Sequence, residues 1–454
     1  MPTMMRFPAL AFTAAFGFAA IAGPAAGEVM LQIYRDALTS DPTLAAARST
    51  YAATQELLPQ ARSGLLPVLS LLGNANYQKF NETLHIDPTL GQRDFDQRFP
   101  LYGYTVQATQ PLFRMQNWIT FEQSKTQVGQ GEYVYASAQQ DLIVRVVQAY
   151  LDVLLAQFTI ELTESQKAAV SENLAQAKRN FEVGVATITD TNDAQAKFDQ
   201  IVAQEIQVQN DLDNKIAVLR SIIGRTPKQL KRFERGFEPQ LPSPNALEAW
   251  IEKSIQDNYQ VKIAQANYDI AVLEVDRQRA GHLPTVDLVA NFNQTYQGGA
   301  ASTNISANFA QDTRAGLIGV QVNVPIYTGG FVNSRVRQAV ANLDVARQNL
   351  EAARRAAQLL AQTSFSGVTS GVAQVKALEQ AVKSAQVSYD SNKLGLEVGV
   401  RTNLDVLNQQ QQVYQTRFNL AQAYYAFVIN ALRLKQAAGT LSDEDVERIN
   451  RELS

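Results

Sequence analysis

The chain has no cysteine, only two histidines (His85 and His282) and few charges, with 40 Lys and Arg set against 43 Asp and Glu in 454 residues. Without a thiol there is no disulfide framework, no Cys-rich zinc or iron-sulfur site and no cysteine nucleophile. A His-ligated metal or a serine triad would have to rest on His85 or His282, which lie far apart with no ligand cluster around either. The even charge balance offers no basic footprint for nucleic acid, whose binding is largely phosphate neutralisation. With no nucleophile, metal or phosphate constellation, the sequence reads as a non-enzyme that needs no cofactor.

Long hydrophobic runs are also missing. Beyond Glu28 no unbroken stretch of about 18 apolar residues occurs, so a membrane crossing would require strands closed into a barrel. At the N-terminus Arg6 precedes a small and apolar run from Phe7 to Ala22, and Ala25-Ala26-Gly27 offers the small residues that a signal peptidase reads. Residues 1–27 are therefore expected to be an export signal. A membrane anchor is the alternative, weakened by Pro8, Gly17 and the shortness of the run.

Proline is present but unevenly spread: of 15, none lies between Pro111 and Pro227 and none follows Pro325. Two long Ala-, Gln- and Leu-rich stretches fill those gaps, Gln116 to Glu182 and Phe331 to Glu397. As helices each spans about 100 Å. Ile143, Val147, Tyr150, Leu154 and Phe158 form a stripe spaced three or four apart, as a helix packed along its length requires. Such helices need partners along their whole length, and an exported coiled-coil rod would meet the same pattern.

A duplication organises the rest. Glu182-Val183-Gly184-Val185 through Asp190 matches Glu397-Val398-Gly399-Val400 through Asp405, and the same offset carries Gly224 onto Gly439. Ala61-Arg62-Ser63-Gly64-Leu65-Leu66-Pro67 pairs with Gln278 through Pro284, and Val106-Gln107 through Pro111 pairs with Val320-Gln321 through Pro325. The expected plan is a first repeat over 28–227, with strands at 66–80 and 101–113 and a turn at 183–189. A bridge over 228–245 leads to a second repeat over 246–441, with strands at 284–297 and 315–327 and a turn at 398–403, and then a tail over 442–454. Each repeat reads helix, strand, strand, very long helix, turn, helix.

The strands alternate. Leu69, Leu71, Gly73, Ala75 and Tyr77 lie on one face against Ser70, Leu72, Asn74, Asn76 and Gln78, while Ile318, Val320, Val322 and Val324 oppose Leu317, Gly319, Gln321 and Asn323. In a soluble sandwich this means core and solvent; in an exported protein it suits lipid outside and a wet lumen inside. Four strands cannot close a membrane barrel, so other copies would have to complete it.

These residues resemble the TolC-type outer-membrane channels of efflux and type I secretion. The resemblance runs from about Leu31 to Leu441 and rests on Asp41-Pro42-Thr43-Leu44, Ala61 through Pro67, Thr109-Gln110-Pro111-Leu112-Phe113 and the two Val-Gly turns, in that order within the duplication. It implies a mainly α-helical protomer with a small β part: very long hairpins plus four transmembrane strands. Three protomers would share a twelve-stranded barrel in the outer membrane of a Gram-negative bacterium and a helical tunnel in the periplasm. It further implies docking by a periplasmic adaptor and an inner-membrane RND or ABC transporter, contact with outer-membrane lipid, and no covalent chemistry. An exported coiled-coil structural or adaptor protein without pore activity is the second reading.

The resemblance also assigns sites. Val183, Gly184, Val185, Val398, Gly399 and Val400 would form the periplasmic mouth and the adaptor's docking tips. Arg401 would bond to Thr189 and Asp190 to hold the mouth shut, with Leu396 standing where the family carries a further hydrogen-bonding Tyr. One of Thr189 and Asp190 is expected instead to cap the following helix. Asp405 would face the constriction as a carboxylate ring, with Asn408 at the family's next acidic position. The Gln409 to Gln412 run suits either a polar tunnel wall or ordinary exposed helix surface.

Overall fold

In a computed structural model the described residues are 29–87, 91–228, 230–231, 239–301 and 308–452; the export signal expected at 1–27 lies outside them. The elements run α1 (Met30–Ser40), α2 (Pro42–Gln55), α3 (Leu57–Ser63), β1 (Val68–Asp87), β2 (Gly91–Phe113), α4 (Met115–Glu182) and α5 (Ile188–Ile223) in the first repeat. The second repeat follows as α6 (Leu247–Asp257), α7 (Tyr259–Arg279), β3 (Thr285–Ala301), β4 (Asn308–Asn323), α8 (Phe331–Glu397) and α9 (Asn403–Ala437), and α10 (Asp443–Glu452) ends the chain.

The two proline-free stretches are single helices of 68 and 67 residues. The helix expected to open each repeat is instead broken, and at matching places. Asp41 precedes Pro42 and accepts a bond from Leu44 N at 2.8 Å, starting α2 afresh. In the second repeat Asn258 accepts from Gln260 N and Val261 N to start α7. A short polar residue that bonds its own backbone competes with helix continuation and wins here. The duplication is preserved in the backbone as well: Gly184 and Gly399 have φ of 77° and 78°, and Gly224 and Gly439 have 73° and 65°.

The main core sits partway along the long helices. Met30 and Ile33 of α1, Leu142 to Leu154 of α4, Leu219 and Ile223 of α5, Trp250 of α6 and Phe427 to Leu434 of α9 form one buried cluster. Tyr150 is fully buried and donates its hydroxyl to Lys231 O at 2.7 Å. By length and composition α4 contains a window apolar enough to cross a membrane, which the search for an unbroken run passed over. More than half of that window is buried inside the protein, which makes it a core helix.

Residues 443–452, expected as part of a tail, form a helix clamped onto α1 and α9. Tyr34 Oη donates to Asp443, Leu31 N donates to Asn450 Oδ1, and Lys435 and Arg448 flank the buried Asp445. Val446 and Ile449 join the core. The segment is highly charged with its apolar residues three apart, a helical spacing that the charge conceals.

The strands form one antiparallel sheet in the order β1-β2-β3-β4. They run further outward than expected: β1 reaches Asp87, β2 starts at Gly91 and β3 reaches Ala301, while β4 stops at Asn323 rather than 327. His85, expected in the loop, lies in β1 opposite Gln92. Residues 81–87 and 91–97 are polar without strict alternation, and a ladder of backbone bonds leaves no periodic trace in such residues.

The register confirms the two faces. Leu69, Ala108, Ala290 and Ile318 line up across all four strands, as do Leu71, Val106, Phe292 and Gly316. The intervening rows read Ser70, Gln107, Asn291, Leu317 and Asn74, Gly103, Thr295, Thr313, polar except at Leu317. Toward the outer end the apolar face carries Tyr102 stacked on Tyr296 and Tyr104 tilted against Phe292. Among the described residues no element covers this face: Leu71 is 73% and Ile318 75% exposed. Among the described residues β1 and β4 each keep one unpaired edge. At the inner end Arg114, just before α4, grips Asp287 of β3 through two bonds of 2.8 and 2.7 Å.

Candidate channel mouth

The hairpins α4/α5 and α8/α9 end in two turns built bond for bond alike. In the first, Gly184 N donates to Phe181 O, and Val185 N and Ala186 N donate to Asn180 O. In the second, Gly399 N donates to Leu396 O, and Val400 N and Arg401 N donate to Gly395 O. Each turn needs a left-handed residue to reverse the chain, which is why glycine stands at 184 and 399.

Each following helix opens with a capping box. Thr187 Oγ1 accepts from Asp190 N at 3.3 Å, and the Asp190 carboxylate accepts from Thr187 N and Oγ1 at 2.9 and 2.7 Å. Thr402 and Asp405 repeat this at 3.2, 3.0 and 2.9 Å. Both carboxylates are held below the ordinary carboxylate range, first by the bond from the threonine N–H and next by its hydroxyl. Of the two candidate caps in the first turn, Asp190 takes part, at the third helical position. The capping threonine is Thr187, and Thr189 stands exposed one residue into the helix.

Arg401 is exposed, and its aliphatic stem crosses the last turn of α8 at Gly395, where an added Cβ would lie 2.7 Å from Arg401 Cγ. Its positive charge is the smallest of the causes acting on Asp405. No hydrogen bond among the described residues joins Arg401 to Thr189 or Asp190 inside the protomer. Leu396 is half-buried, and Asn408 is exposed one turn beyond Asp405. The buried stripe of α9, Val406, Leu407, Gln410 and Val413, lies on other positions, so Asp405 and Asn408 remain off the protomer's own packing surface.

The tips are apolar and uncovered. Val183, Val185, Val398 and Val400 are 66 to 74% exposed. Ile188, Phe181 and Leu394 extend this rim. Sequence reasoning picked out the valines through their repetition and missed the other three, whose only signal is a large apolar residue beside a solvent-facing turn.

The glutamine run is neither plain wall nor plain surface. Gln409 accepts from Ser388 of α8, Gln411 accepts from Lys197 of α5, and Gln410 is buried. Gln409 and Gln411 thus join α9 to its neighbours, whereas Gln412 bonds Thr416 within α9. Above them Lys167 pairs with Glu205 across α4/α5, and Tyr424 donates to Glu379 across α8/α9. Burial first, and then that bond, push the Tyr424 hydroxyl up to about 12.

The family model for outer membrane efflux proteins matches residues 33–225 and 250–440, the two repeats on either side of the bridge. The chain belongs to the outer membrane efflux protein family. It is 32% identical to outer membrane protein TolC of Vibrio cholerae, with 93% of each chain covered. It is 30% identical to the protease secretion protein PrtF of Dickeya chrysanthemi, covering 94% of this chain and 91% of that one. Among solved structures it shares the fold of the Campylobacter jejuni CmeC outer membrane channel, at a TM-score of 0.76, 16% identity and 98% coverage of both chains. The open-state MtrE channel of Neisseria gonorrhoeae matches at a TM-score of 0.72 and 17% identity, with 91% and 89% covered. This outer membrane efflux protein is thus an outer-membrane channel whose sheet lies in the membrane and whose helical part lies in the periplasm. Its family is one of channel proteins.

Proposed function

We propose that three copies of this chain close into an export duct, twelve strands around a lumen above and the paired hairpins around a tunnel below. The observation that carries this is the four-stranded sheet with two open edges, an uncovered apolar face and an Asn-, Gln- and Thr-rich reverse. Three sheets joined edge to edge leave no unpaired strand, turn the apolar rows to lipid and enclose the polar rows around water. The duct is the outer component of a tripartite machine: a periplasmic adaptor docks on the apolar valine tips, and an inner-membrane RND or ABC transporter feeds cargo through it. Kinship with both TolC and the secretion protein PrtF supports cargo that includes polypeptides as well as small toxic molecules.

In this reading Arg401 locks the mouth by bonding Thr189 and Asp190 of a neighbouring hairpin, and the three copies of Asp405 ring the constriction. Within each chain the Thr402 bonds favour the ionised form of Asp405, and a ring of such carboxylates favours cations at the narrowest point. Extraction from outer membranes as heat-resistant trimers that conduct ions in planar bilayers is the expected result. A water-soluble rod without conductance would overturn the reading in favour of an exported coiled-coil structural protein. A deletion strain scored for both a missing secreted polypeptide and drug sensitivity identifies the cargo.

A further inference from the structure

The two turns share every backbone bond, and among the matched positions where their side chains differ, two are joined by one of those bonds. The first has Asn180 on the closing turn of its helix and Ala186 at the exit; the second has Gly395 and Arg401. Gly395 is buried and helical, so nothing in its backbone demands glycine. What demands it is the Arg401 stem: a Cβ on residue 395 would sit 2.7 Å from Cγ of Arg401, closer than carbon atoms approach, with Cβ of Arg401 in ordinary contact at 3.4 Å. Asn180 is tolerated at the equivalent place because Ala186 has no stem to accommodate. Glycine in a helix interior costs stability relative to alanine, and here the cost is accepted only in the repeat whose exit residue is long and charged.

We infer that Gly395 is a positioning residue for Arg401: its missing side chain is the slot in which the arginine stem lies, and this aims the guanidinium from a fixed base. Arg401 N also donates to Gly395 O at 3.1 Å, so backbone and side chain of the arginine are referenced to one residue. Any Cβ at 395 turns the stem out of the slot and re-aims the charge without touching the turn's own bonds. The inference rests on the reading of Arg401 as the lock of the mouth.

The test is Gly395→Ala in the full-length channel, alone and combined with Arg401→Ser, read as open-channel frequency in planar bilayers together with heat resistance of the trimer. Expected is a rise in open frequency of about fivefold, the equivalent of losing one ordinary hydrogen bond at the lock. Heat resistance should be equal or higher, since alanine favours the helix. In the Arg401→Ser background the same change should add nothing. A rise with Arg401→Ser but none with Gly395→Ala overturns the slot and leaves the lock standing. Equal effects of Gly395→Ala in both backgrounds also overturn it, because the residue would then act through helix packing. No effect of Arg401→Ser removes the lock itself and the inference with it. Gly395→Asn with Arg401→Ala, which reproduces the first turn, should fold normally and open as freely as Arg401→Ser; a channel as closed as the original would count against the slot.

Discussion

Arg114 and Asp287 face each other across the line where the sheet ends and the tunnel begins, joined by two parallel bonds of 2.8 and 2.7 Å. The aspartate side chain is only 11% exposed and the arginine 41%. Their counterparts under the duplication, Thr328 and Ser70, carry no charge, so the clasp occurs once per protomer. Arg114→Ala strands a largely buried carboxylate and should cost about 1–3 kcal/mol, a figure reduced for the arginine's exposure. Asp287→Asn, which leaves no uncompensated anion, should cost less. Thermal unfolding of the detergent-extracted protein measures both, and equal midpoints would show that the strand ladder alone holds the junction.

Replacement of Arg401 by serine should raise the open-state conductance or its frequency in bilayers while leaving the trimer intact. Unchanged traces would remove Arg401 from the lock.

Asp405→Asn should abolish block by multivalent cations at the mouth. The same change weakens the capping box with Thr402, so amide exchange at the start of α9 should quicken in parallel. Persistent block in a variant with quickened exchange would place the cation site elsewhere.

A pH effect is expected where α7 meets α4. Glu274 is held at about 2, first by its bonds from Arg277 and further by Gln278 and Gln123. Because the folded value is depressed, the stabilisation is complete above the ordinary carboxylate value of 4.5 and is lost as pH falls from there through about 2. Glu274→Gln should flatten the acid branch of a stability profile in that window. An unaltered acid branch would show that other carboxylates govern it.

At the tips, Val185→Asp or Val400→Asp should leave heat-resistant, conducting trimers yet abolish export in cells, because an apolar docking rim does not accept a buried charge. Export at the original level would move the docking surface away from the turns.

The helical architecture was legible because helix periodicity and proline avoidance act over dozens of residues, and α8 was expected with the bounds it has. The turns were legible because a left-handed glycine followed by Thr and Asp has few alternatives. What escaped were features set by a single side chain or by tertiary contact. Asp41 and Asn258 each break a helix by bonding its backbone. The outer halves of β1 and β2 have only interrupted apolar faces to announce them, and the two buried apolar residues of α10 acquire meaning only in the core. At the mouth Thr189 or Asp190 was expected to cap α5, whereas the cap is Thr187 with Asp190 as its partner at the third helical position, a choice that depends on which threonine precedes the first helical residue. That boundary is settled by backbone conformation, which composition does not encode.

A sheet exposed on both faces has no interior, so its strands gain nothing from hydrophobic burial until lipid covers one side and sister strands cover the edges. The helical portion, by contrast, owns one main core and smaller clusters within each chain. The two parts therefore answer to different variables: helix stability is a property of the single molecule, whereas sheet stability depends on protomer concentration and on the surrounding amphiphile. In the proposed assembly, a chain can hold its helical half folded while the membrane half waits for neighbours, which makes insertion a collective event rather than a step each chain completes alone.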